Sequence, residues 1–513
     1  MNAPLNLREH LDSQPKPQIT TFRRVPDLGE DQTGQAFDKE STMKAIGAFI
    51  SLLLSLSLYS QTPTIEPDPK TALRILADVE ALSAPALRGR ATGTEGAERA
   101  ASLLGIRMRE TGLSPLPGNQ AKGYRIPYSL TRYRLVPEET KLAIDGVSLQ
   151  WGRDYVSAFA RNPGLSIGWR VAILDGSAPD VEASASRAWE EALNAKEGLI
   201  IGYIHSAEPP KVWGFYRARA VQGRLGTAGN LPTALNRPMV CLTPSGLDRL
   251  GITEANAFAI QRPHEVVYDP QCKEERVECW NLAGYVPGEG PDEGKSVTIL
   301  SAHFDHLDPE GSVWYPGADD DASGCAVALE VGRRLACHHP KRGVVILLCS
   351  GEELGMLGSR AFLASNRIPL ASIRADINMD MVGRADAGGL AILPCTGEGP
   401  MTALVSTGRD IAKAMGLRLR GNESALWGRS DHLAFAEKAI PVAYVTSGLH
   451  PDYHKPTDTP EKLSPGQLEV AATFVERLVR ASADRNSTMG RLDEKVWKGW
   501  KWPVPSGKKC LDP

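Results

Sequence analysis

Two apolar segments, each followed at once by histidine or acidic residues, constrain the fold of this chain more than any other feature. Residues 297–300 (VTIL) predict a buried strand that leads into residues 301–306 (SAHFDH), and residues 344–349 (VVILLC) predict another that leads into residues 350–355 (SGEELG). The ends of strands are where α/β sheets usually build their sites. The pattern therefore predicts an α/β domain with polar chemistry at the ends of its strands.

The first of these strand ends carries His303 and Asp305. Residues two apart on a strand share a face, so these two side chains are expected to point the same way. A carboxylate behind an imidazole fixes the imidazole tautomer and raises its basicity, which is the arrangement found around metal-binding histidines. By the same alternation His306 faces away, and we expect it on the surface.

Residues 316–324 (PGADDDASG) precede an apolar run and predict a loop that enters a buried helix. Acidic residues there favour a helix N-terminus. Three consecutive acids, Asp319, Asp320 and Asp321, are more than capping needs, and their mutual repulsion favours a bound cation. We expect this loop to cap the helix and to bind a metal.

Three further contexts complete the pattern. Adjacent acids at a strand end, Glu352 and Glu353, can diverge, one to a metal and the other to a substrate. Asp380 lies among apolar residues and needs a partner, because a buried unpaired carboxylate is costly. His454 follows Tyr453 in a loop. Imidazoles and carboxylates without a thiolate suit two divalent ions, which can turn a bridging water into hydroxide.

These residues occur in strings that resemble the zinc aminopeptidases of peptidase family M28. The strings are AHFDH, PGADDDASG, SGEELGMLGS, INMDMVG, SDHLAF and YHKPTDT, and the likeness includes residues 281–288 and a stretch from about Leu82 to Leu113. The resemblance implies an α/β fold, with a mixed central sheet flanked by helices and metal ligands on loops at the strand ends.

The resemblance also implies roles for individual residues. Five of them would hold two zinc ions: His303 and Asp380 one ion, Glu353 and His454 the other, and Asp320 both. Three others would act in catalysis: Glu352 as general base, Asp305 as the partner behind His303, and Tyr453 as a stabiliser of the tetrahedral intermediate. Asp431 resembles a position near the substrate cleft. Co²⁺ or Mn²⁺ in place of Zn²⁺ stays open.

The charge of such a centre balances. Three carboxylate ligands and two divalent ions leave one positive charge, which a bridging hydroxide would neutralise. The net charge of the whole chain is −3, with 23% charged residues, so no basic excess suggests nucleic acid. Peptides are the expected substrates. The sequence gives no indication of oligomeric state.

The expected function is that of an exported two-zinc exopeptidase, most simply an aminopeptidase. A carboxypeptidase or dipeptidase on the same metal site is the main alternative. A metal-free binding protein on a peptidase fold is another alternative, but such proteins lose ligands that are all present here. A serine esterase using Ser166 in the string GLSIG is the last, although a strand-like segment follows that serine where the motif requires a helix.

The domain organisation is predicted as follows. Residues 1–42 are a polar upstream extension, expected to be disordered, and residues 43–60 a signal peptide for secretion or periplasmic export. No stable membrane insertion is expected after cleavage; an uncleaved membrane anchor is the alternative. The catalytic domain comprises residues 61–127 and 268–485, interrupted by an insert at 128–267 and followed by a tail at 486–513.

The insert resembles a mainly β protease-associated domain, with short strands predicted at 141–144, 169–174 and 199–204. It would cover the cleft or shape substrate access, or be purely structural. Eight cysteines are too few for a disulfide scaffold. Cys272 and Cys279 lie close enough in sequence to pair, whereas Cys325 and Cys349 are expected as buried thiols.

Overall fold

The structure is a computed structural model that describes residues 67–158, 168–195, 197–205, 224–226, 239–257, 265–290, 295–309, 312–386, 388–394, 403–421 and 424–484. The predicted upstream extension, the signal segment, Ser166 and the C-terminal tail lie outside these residues. Among the described residues, no helix has both the length and the apolar character needed to cross a membrane.

The strands occur along the described part of the chain in the following order. They are β1 (Ser114–Pro115), β2 (Arg125–Leu135), β3 (Lys141–Ile144), β4 (Val147–Leu149), β5 (Tyr155–Ala158), β6 (Trp169–Asp175), β7 (Gly198–Ile204), β8 (Arg224–Gly226), β9 (Met239–Leu242), β10 (Val266–Asp269), β11 (Cys272–Val286), β12 (Val297–His303), β13 (Gly343–Cys349), β14 (Ile373–Met379), β15 (Ala391–Leu393) and β16 (Val442–Thr446).

The helices within the same ranges surround and connect these strands. They are α1 (Pro69–Leu82), α2 (Glu95–Glu110), α3 (Val181–Ala195), α4 (Pro244–Arg249), α5 (Gly324–Cys337), α6 (Leu357–Ala364), α7 (Ala403–Ala414), α8 (His432–Ala436) and α9 (Pro465–Asp484). Polar side chains begin the first two: Asp68 accepts hydrogen bonds from the backbone of α1, and Thr94 from that of α2.

Nine strands form one mixed sheet in the order β15-β16-β14-β12-β13-β11-β2-β8, with β1 paired to β11. The strands β13, β12, β14 and β16 run parallel at its centre. β11 and β15 are antiparallel to their neighbours in this group. Because the central strands are parallel, their carboxyl ends meet at one edge of the sheet.

Both faces of this sheet are covered by helices, which is why its central strands are buried at nearly every position. Along β13, Ile346 packs in a core with α1, α2, α5, α7 and α9, whereas the next residue, Leu347, packs in a second core with α6 and α8. The predicted fold, a mixed sheet flanked by helices, is thereby confirmed.

The region predicted as an insert contains two smaller sheets, β10-β3-β4 and β5-β9-β7-β6. Helix α3 connects the parallel strands β6 and β7. The long strands β2 and β11 lead from the main sheet into this region and pair antiparallel from Arg125↔Leu282 to Leu135↔Cys272. β2 runs across the predicted junction at 128, and β10 runs across the one at 268. The domain boundaries stay a prediction.

The suggested pairing of Cys272 with Cys279 is wrong. Both residues lie in β11, seven positions apart, and both thiols are free. A strand rises about 3.4 Å per residue, which separates the two Cα atoms by roughly 24 Å, far more than a disulfide can span. Cys325 and Cys349 are free thiols that are fully buried, as expected.

Candidate metal centre

The carboxyl ends of three neighbouring parallel strands bring the predicted site residues to one place. His303 ends β12 and pairs in register with Cys349, the last residue of β13, so Glu352 and Glu353 follow directly beside it. β14 lies on the other side of β12 and ends one residue before Asp380. Strand register therefore explains why Asp380, 77 positions further along the chain, faces the imidazole of His303.

The three consecutive acids diverge, and each has a different environment. Asp321 accepts hydrogen bonds from the backbone N–H groups of His303 at 3.1 Å and Gly324 at 2.9 Å, so it caps α5 and ties that helix to β12. Asp319 accepts from the N–H of Gly383 at 2.7 Å. Asp320, the middle acid, is left to face the site.

Two imidazoles approach the two oxygens of the Asp320 carboxylate. His303 Nε2 lies 3.3 Å from Oδ1, and His454 Nε2 lies 3.2 Å from Oδ2. Beyond them, Asp380 Oδ1 is 3.7 Å from His303 Nε2, and Glu353 Oε2 is 3.2 Å from His454 Nε2. The five residues predicted as ligands thus form a continuous series with Asp320 at its centre; three of them are buried, and Glu353 and His454 are partly exposed.

This arrangement fits divalent cations. Two ligand atoms of one tetrahedral ion, with bonds of about 2.0 Å, lie about 3.3 Å apart, close to most of the separations seen here. His303 Nε2 and Asp380 Oδ1 are buried without a hydrogen-bond partner among the described residues. A buried polar atom without a partner costs free energy, which a shared cation at this position would offset. Nitrogen and oxygen donors without sulfur suit Zn²⁺, Co²⁺ or Mn²⁺.

The charged residues of the proposed centre shift one another's pKa values. Burial favours the neutral form of the Asp320 carboxyl, but the imidazoles of His306, His303 and His454 outweigh it and hold its pKa well below the usual range. Burial likewise lowers the pKa of the His454 imidazole, yet the carboxylates of Glu353 and Asp320 raise it to about 11. Protons and metal ions compete for the same imidazole nitrogens. A bound metal ion would therefore replace these protons and compensate the negative charge of the carboxylates in their place.

The prediction that His306 lies on the surface is wrong. Its side chain is fully buried, and its Nδ1 lies 2.8 Å from Glu353 Oε1 and 3.8 Å from Asp320 Oδ2. The alternation of faces that predicted an outward side chain applies only within a strand, and β12 ends at His303. The turn that follows directs His306 into the site instead.

Asp305 lies behind His303, and its backbone is closer than its side chain. His303 Nδ1 is 3.1 Å from the carbonyl oxygen of Asp305 and 3.7 Å from its carboxylate. The carboxylate accepts hydrogen bonds from the Thr92 hydroxyl at 2.8 Å and from the N–H of Glu352 at 3.3 Å. Asp305 thus connects the His303 ring with the turn that carries Glu352.

Glu352 lines a pocket that opens onto these proposed ligands. Burial, together with the negative charges of Glu353 and Asp380, raises the pKa of the Glu352 carboxyl well above its usual range, against an opposing effect of His303. The pocket is also lined by Asp320, Asp380, His454, Tyr453, Arg429, Tyr444 and the apolar side chains of Met381, Leu426 and Leu449.

Tyr453 stacks on the His454 imidazole, with ring centroids 3.8 Å apart. Burial and the negative charge of Asp320 and Glu353 raise the pKa of its phenol, which keeps the hydroxyl protonated. Asp431 is buried and accepts a hydrogen bond from the Ser359 hydroxyl. Asp431 is not one of the described residues that line the pocket.

Two residues that support the site had no assigned role in the sequence. The fully buried Arg90 donates hydrogen bonds to the carbonyl oxygens of Phe304, Pro316 and Gly317. The carboxylate of Asp458 accepts from the backbone N–H groups of Asp319 and Asp320. Both lie inside motif-bearing segments, but their partners are backbone groups, which leave no trace in side-chain patterns.

Comparison with known proteins agrees with this geometry. Residues 281–479, which carry all five predicted ligands, match the sequence model of Peptidase family M28. This segment belongs to peptidase family M28. It begins within β11 and ends within α9, so it contains the four parallel strands whose ends form the site.

Two solved structures share the fold of this chain. An aminopeptidase from Aneurinibacillus sp. strain AM-1 has a TM-score of 0.52 and 21% identity, covering 84% of this chain and 98% of that one. A zinc aminopeptidase from Bacillus subtilis has a TM-score of 0.51 and 20% identity, covering 83% and 98%. The shared fold extends beyond the family segment into most of the chain.

The curated relatives match shorter segments. A probable zinc metalloprotease of Pyrenophora tritici-repentis is 34% identical over 99 residues, which are 18% of this chain and 20% of that protein. Aminopeptidase YwaD of Bacillus subtilis is 27% identical over 190 residues, 36% of this chain and 40% of that protein. The chain thus spans between a fifth and two fifths of the length of these relatives.

Proposed function

We propose that this M28 chain is a two-zinc exopeptidase that removes N-terminal residues from peptides. The observation that carries the proposal is the position of the Asp320 carboxylate, which has the imidazoles of His303 and His454 at its two oxygens and Glu352 in the adjoining pocket. Zinc is favoured over Co²⁺ and Mn²⁺ because similar proteins are named zinc metalloprotease and zinc aminopeptidase.

Five residues would hold the ions. His303 and Asp380 would bind one, Glu353 and His454 the other, and Asp320 both. When bound, the ions supply electrophilic stabilisation of the scissile carbonyl and make water acidic enough to attack at neutral pH. Everything else in the proposed reaction is done by side chains of the chain itself.

Glu352 would act as the general base and then as the general acid. Its raised pKa brings the carboxyl towards the pH at which it can both accept and return a proton. It would take a proton from the attacking water and give it to the amine that leaves. Asp305 would position Glu352 through the hydrogen bond to its backbone N–H and support the ring of His303.

Tyr453 would stabilise the negative oxygen of the tetrahedral intermediate. Its phenol is protonated and can donate a hydrogen bond, and stacking on His454 fixes its ring beside the proposed ligands. Pre-positioned donors of this kind typically contribute a factor of about 10²–10³ in turnover. We further propose that residues 43–60 export the chain and that residues 128–267 shape access to the pocket.

The decisive test replaces Glu352 by Gln, which keeps the shape of the side chain but cannot accept the proton. Purified full-length protein loaded with zinc would be assayed on a panel of amino-acid amides, with zinc content measured by elemental analysis. We expect turnover to fall by a factor of about 10²–10⁴ with zinc content unchanged. A Glu352→Gln enzyme with near-normal turnover would refute the role of this residue.

The direction of cleavage needs a second comparison, between a peptide with a free N-terminus and its N-acetylated twin. An aminopeptidase should cleave only the free peptide, whereas a carboxypeptidase should cleave both. A dipeptidase should cleave free dipeptides but not longer peptides. Activity that survives a chelator and disappears in Ser166→Ala would instead indicate the serine esterase. A wild-type protein that binds zinc and cleaves none of these substrates would indicate a binding protein.

A further inference from the structure

The buried His306 approaches the proposed metal centre from a side that none of the assigned roles uses. Its Nδ1 lies 2.8 Å from Oε1 of Glu353, while the other oxygen of that carboxylate, Oε2, faces His454 at 3.2 Å. Glu353 is therefore held between two imidazoles, one at each oxygen. The rings of His306 and His454 meet edge to face, with centroids 5.6 Å apart.

The ring of His306 is fixed in place by the backbone beneath it. A Cβ atom added at Gly317 would lie 2.7 Å from both Cγ and Cδ2 of His306, so the ring packs directly on the bare backbone of that glycine. Gly317 has a φ of +57°, a conformation that glycine adopts without strain. The loop that carries Asp320 thus leaves room for this ring.

The separations distinguish a supporting residue from a further ligand. Ligand atoms that share one tetrahedral ion lie about 3.3 Å apart, as the His454 and Glu353 atoms nearly do. The 2.8 Å between His306 Nδ1 and Glu353 Oε1 is shorter and has the length of an N–H···O hydrogen bond. An ionised carboxylate only accepts hydrogen bonds, so Nδ1 must carry the hydrogen.

We propose that His306 is a positioning residue for the second metal position. Its Nδ1–H donates to Glu353 Oε1 and holds the carboxylate so that Oε2 faces the place that Asp320 and His454 also face. Supporting partners of metal ligands typically change metal affinity by a factor of about 10–100. This inference rests on the proposed function, since it assigns His306 to the same two-zinc site.

The test measures zinc affinity in variants of the full-length apoprotein, by competition with a chromophoric chelator. His306→Leu fills the space beside Gly317 without a donor, and His306→Asn places an amide N–H near the position of Nδ1. His306→Gln places its amide further out, near the position of Nε2. His338→Asn, at an exposed histidine after α5, is the control for loss of an imidazole.

We expect wild type and His338→Asn to bind two zinc ions with the same affinities. His306→Leu and His306→Gln should weaken one of the two sites by about 10–100-fold and leave the other unchanged. His306→Asn should restore most of that loss. If His306→Leu is not folded by circular dichroism, the comparison of His306→Asn with His306→Gln decides the question in the same way.

Two outcomes would overturn the inference while the proposed function stands. One is two unchanged zinc affinities in His306→Leu, which would make the contact with Glu353 irrelevant to the metal. The other is an affinity in His306→Asn as low as in His306→Leu, which would mean that a donor near Nδ1 is not what the ring supplies. A wild-type apoprotein that binds no zinc would refute the proposed function itself.

Discussion

Arg90 offers a sharp test of how the site is held together. Its guanidinium is completely buried and donates four hydrogen bonds to backbone carbonyl oxygens, those of Phe304 at 2.7 Å, Leu82 at 2.8 Å, Pro316 at 2.6 Å and Gly317 at 3.0 Å. Phe304 follows His303, and Gly317 lies three residues before Asp320. One side chain therefore joins the two loops that carry proposed ligands.

Replacing Arg90 by Met keeps much of the side-chain volume and removes every donor. Each buried carbonyl left without a partner costs about 1–3 kcal/mol. The Gly317 carbonyl also accepts from the N–H of Ala322, so three carbonyls lose their only partner. Relief of the guanidinium's own desolvation cost offsets part of the upper range, so we take the lower end for these three, about 3 kcal/mol. That is a large fraction of the roughly 5–15 kcal/mol by which proteins are stable.

The assay is urea unfolding of the zinc-loaded protein followed by circular dichroism, with Arg88→Met as the matched control. Arg88 belongs to the same turn but is exposed. With an m-value of about 4 kcal/mol/M for a chain of this size, the midpoint of Arg90→Met should fall by about 0.75 M. The free energy of unfolding of Arg88→Met should differ from that of the wild type by less than about 0.5 kcal/mol.

Two results would refute this reasoning. A midpoint for Arg90→Met no lower than that of Arg88→Met would show that the carbonyls of Leu82, Phe304 and Pro316 find other partners at little cost. Full stability in Arg90→Lys would show that charge alone matters, because lysine has three donors on one nitrogen and cannot reach four carbonyls as the planar guanidinium does.

Three further outcomes are expected. Chelation of the metal should lower the melting temperature, since an ion at 100 times its Kd stabilises the native state by about 2.7 kcal/mol; equal melting curves with and without chelator would contradict a shared site. Burial lowers the pKa of the His432 imidazole to about 3, below its usual 6.5. As the pH falls, the unfolded chain therefore binds a proton at this residue before the folded chain does. The contribution of neutral His432 to stability should be fully present above pH 6.5, and the free energy of unfolding should fall by about 2 kcal/mol on acidification to pH 5. Urea unfolding of wild type and His432→Gln at both pH values should show a smaller loss in the variant. Cys272 and Cys279 should both react with a thiol reagent in the unfolded protein without prior reduction, and a Cys272→Ser variant should melt like wild type.

The sequence alone was sufficient for the class of fold and for the likeness of one segment to peptidase family M28. Apolar runs such as residues 344–349 predict strands covered on both faces, and the structure confirms this because alternate residues enter two separate cores. The segment that matches peptidase family M28 contains the strings on which the resemblance rested. Patterns of this kind are local, and local patterns can be recognised without knowing what lies opposite.

Only the tertiary structure decided where His306, Arg90 and the two cysteines lie. The direction of the His306 side chain depends on a turn beyond the end of β12, where the two-residue alternation of a strand no longer applies. The position of the Arg90 side chain depends on backbone carbonyls more than 200 positions away. The separation of Cys272 from Cys279 depends on the extended backbone of a 15-residue strand. The sequence determined which residues have the right chemistry for a metal centre. Strand register and the packing of both sheet faces decided which of them meet, because contacts between remote segments are set by the whole fold and not by any one segment.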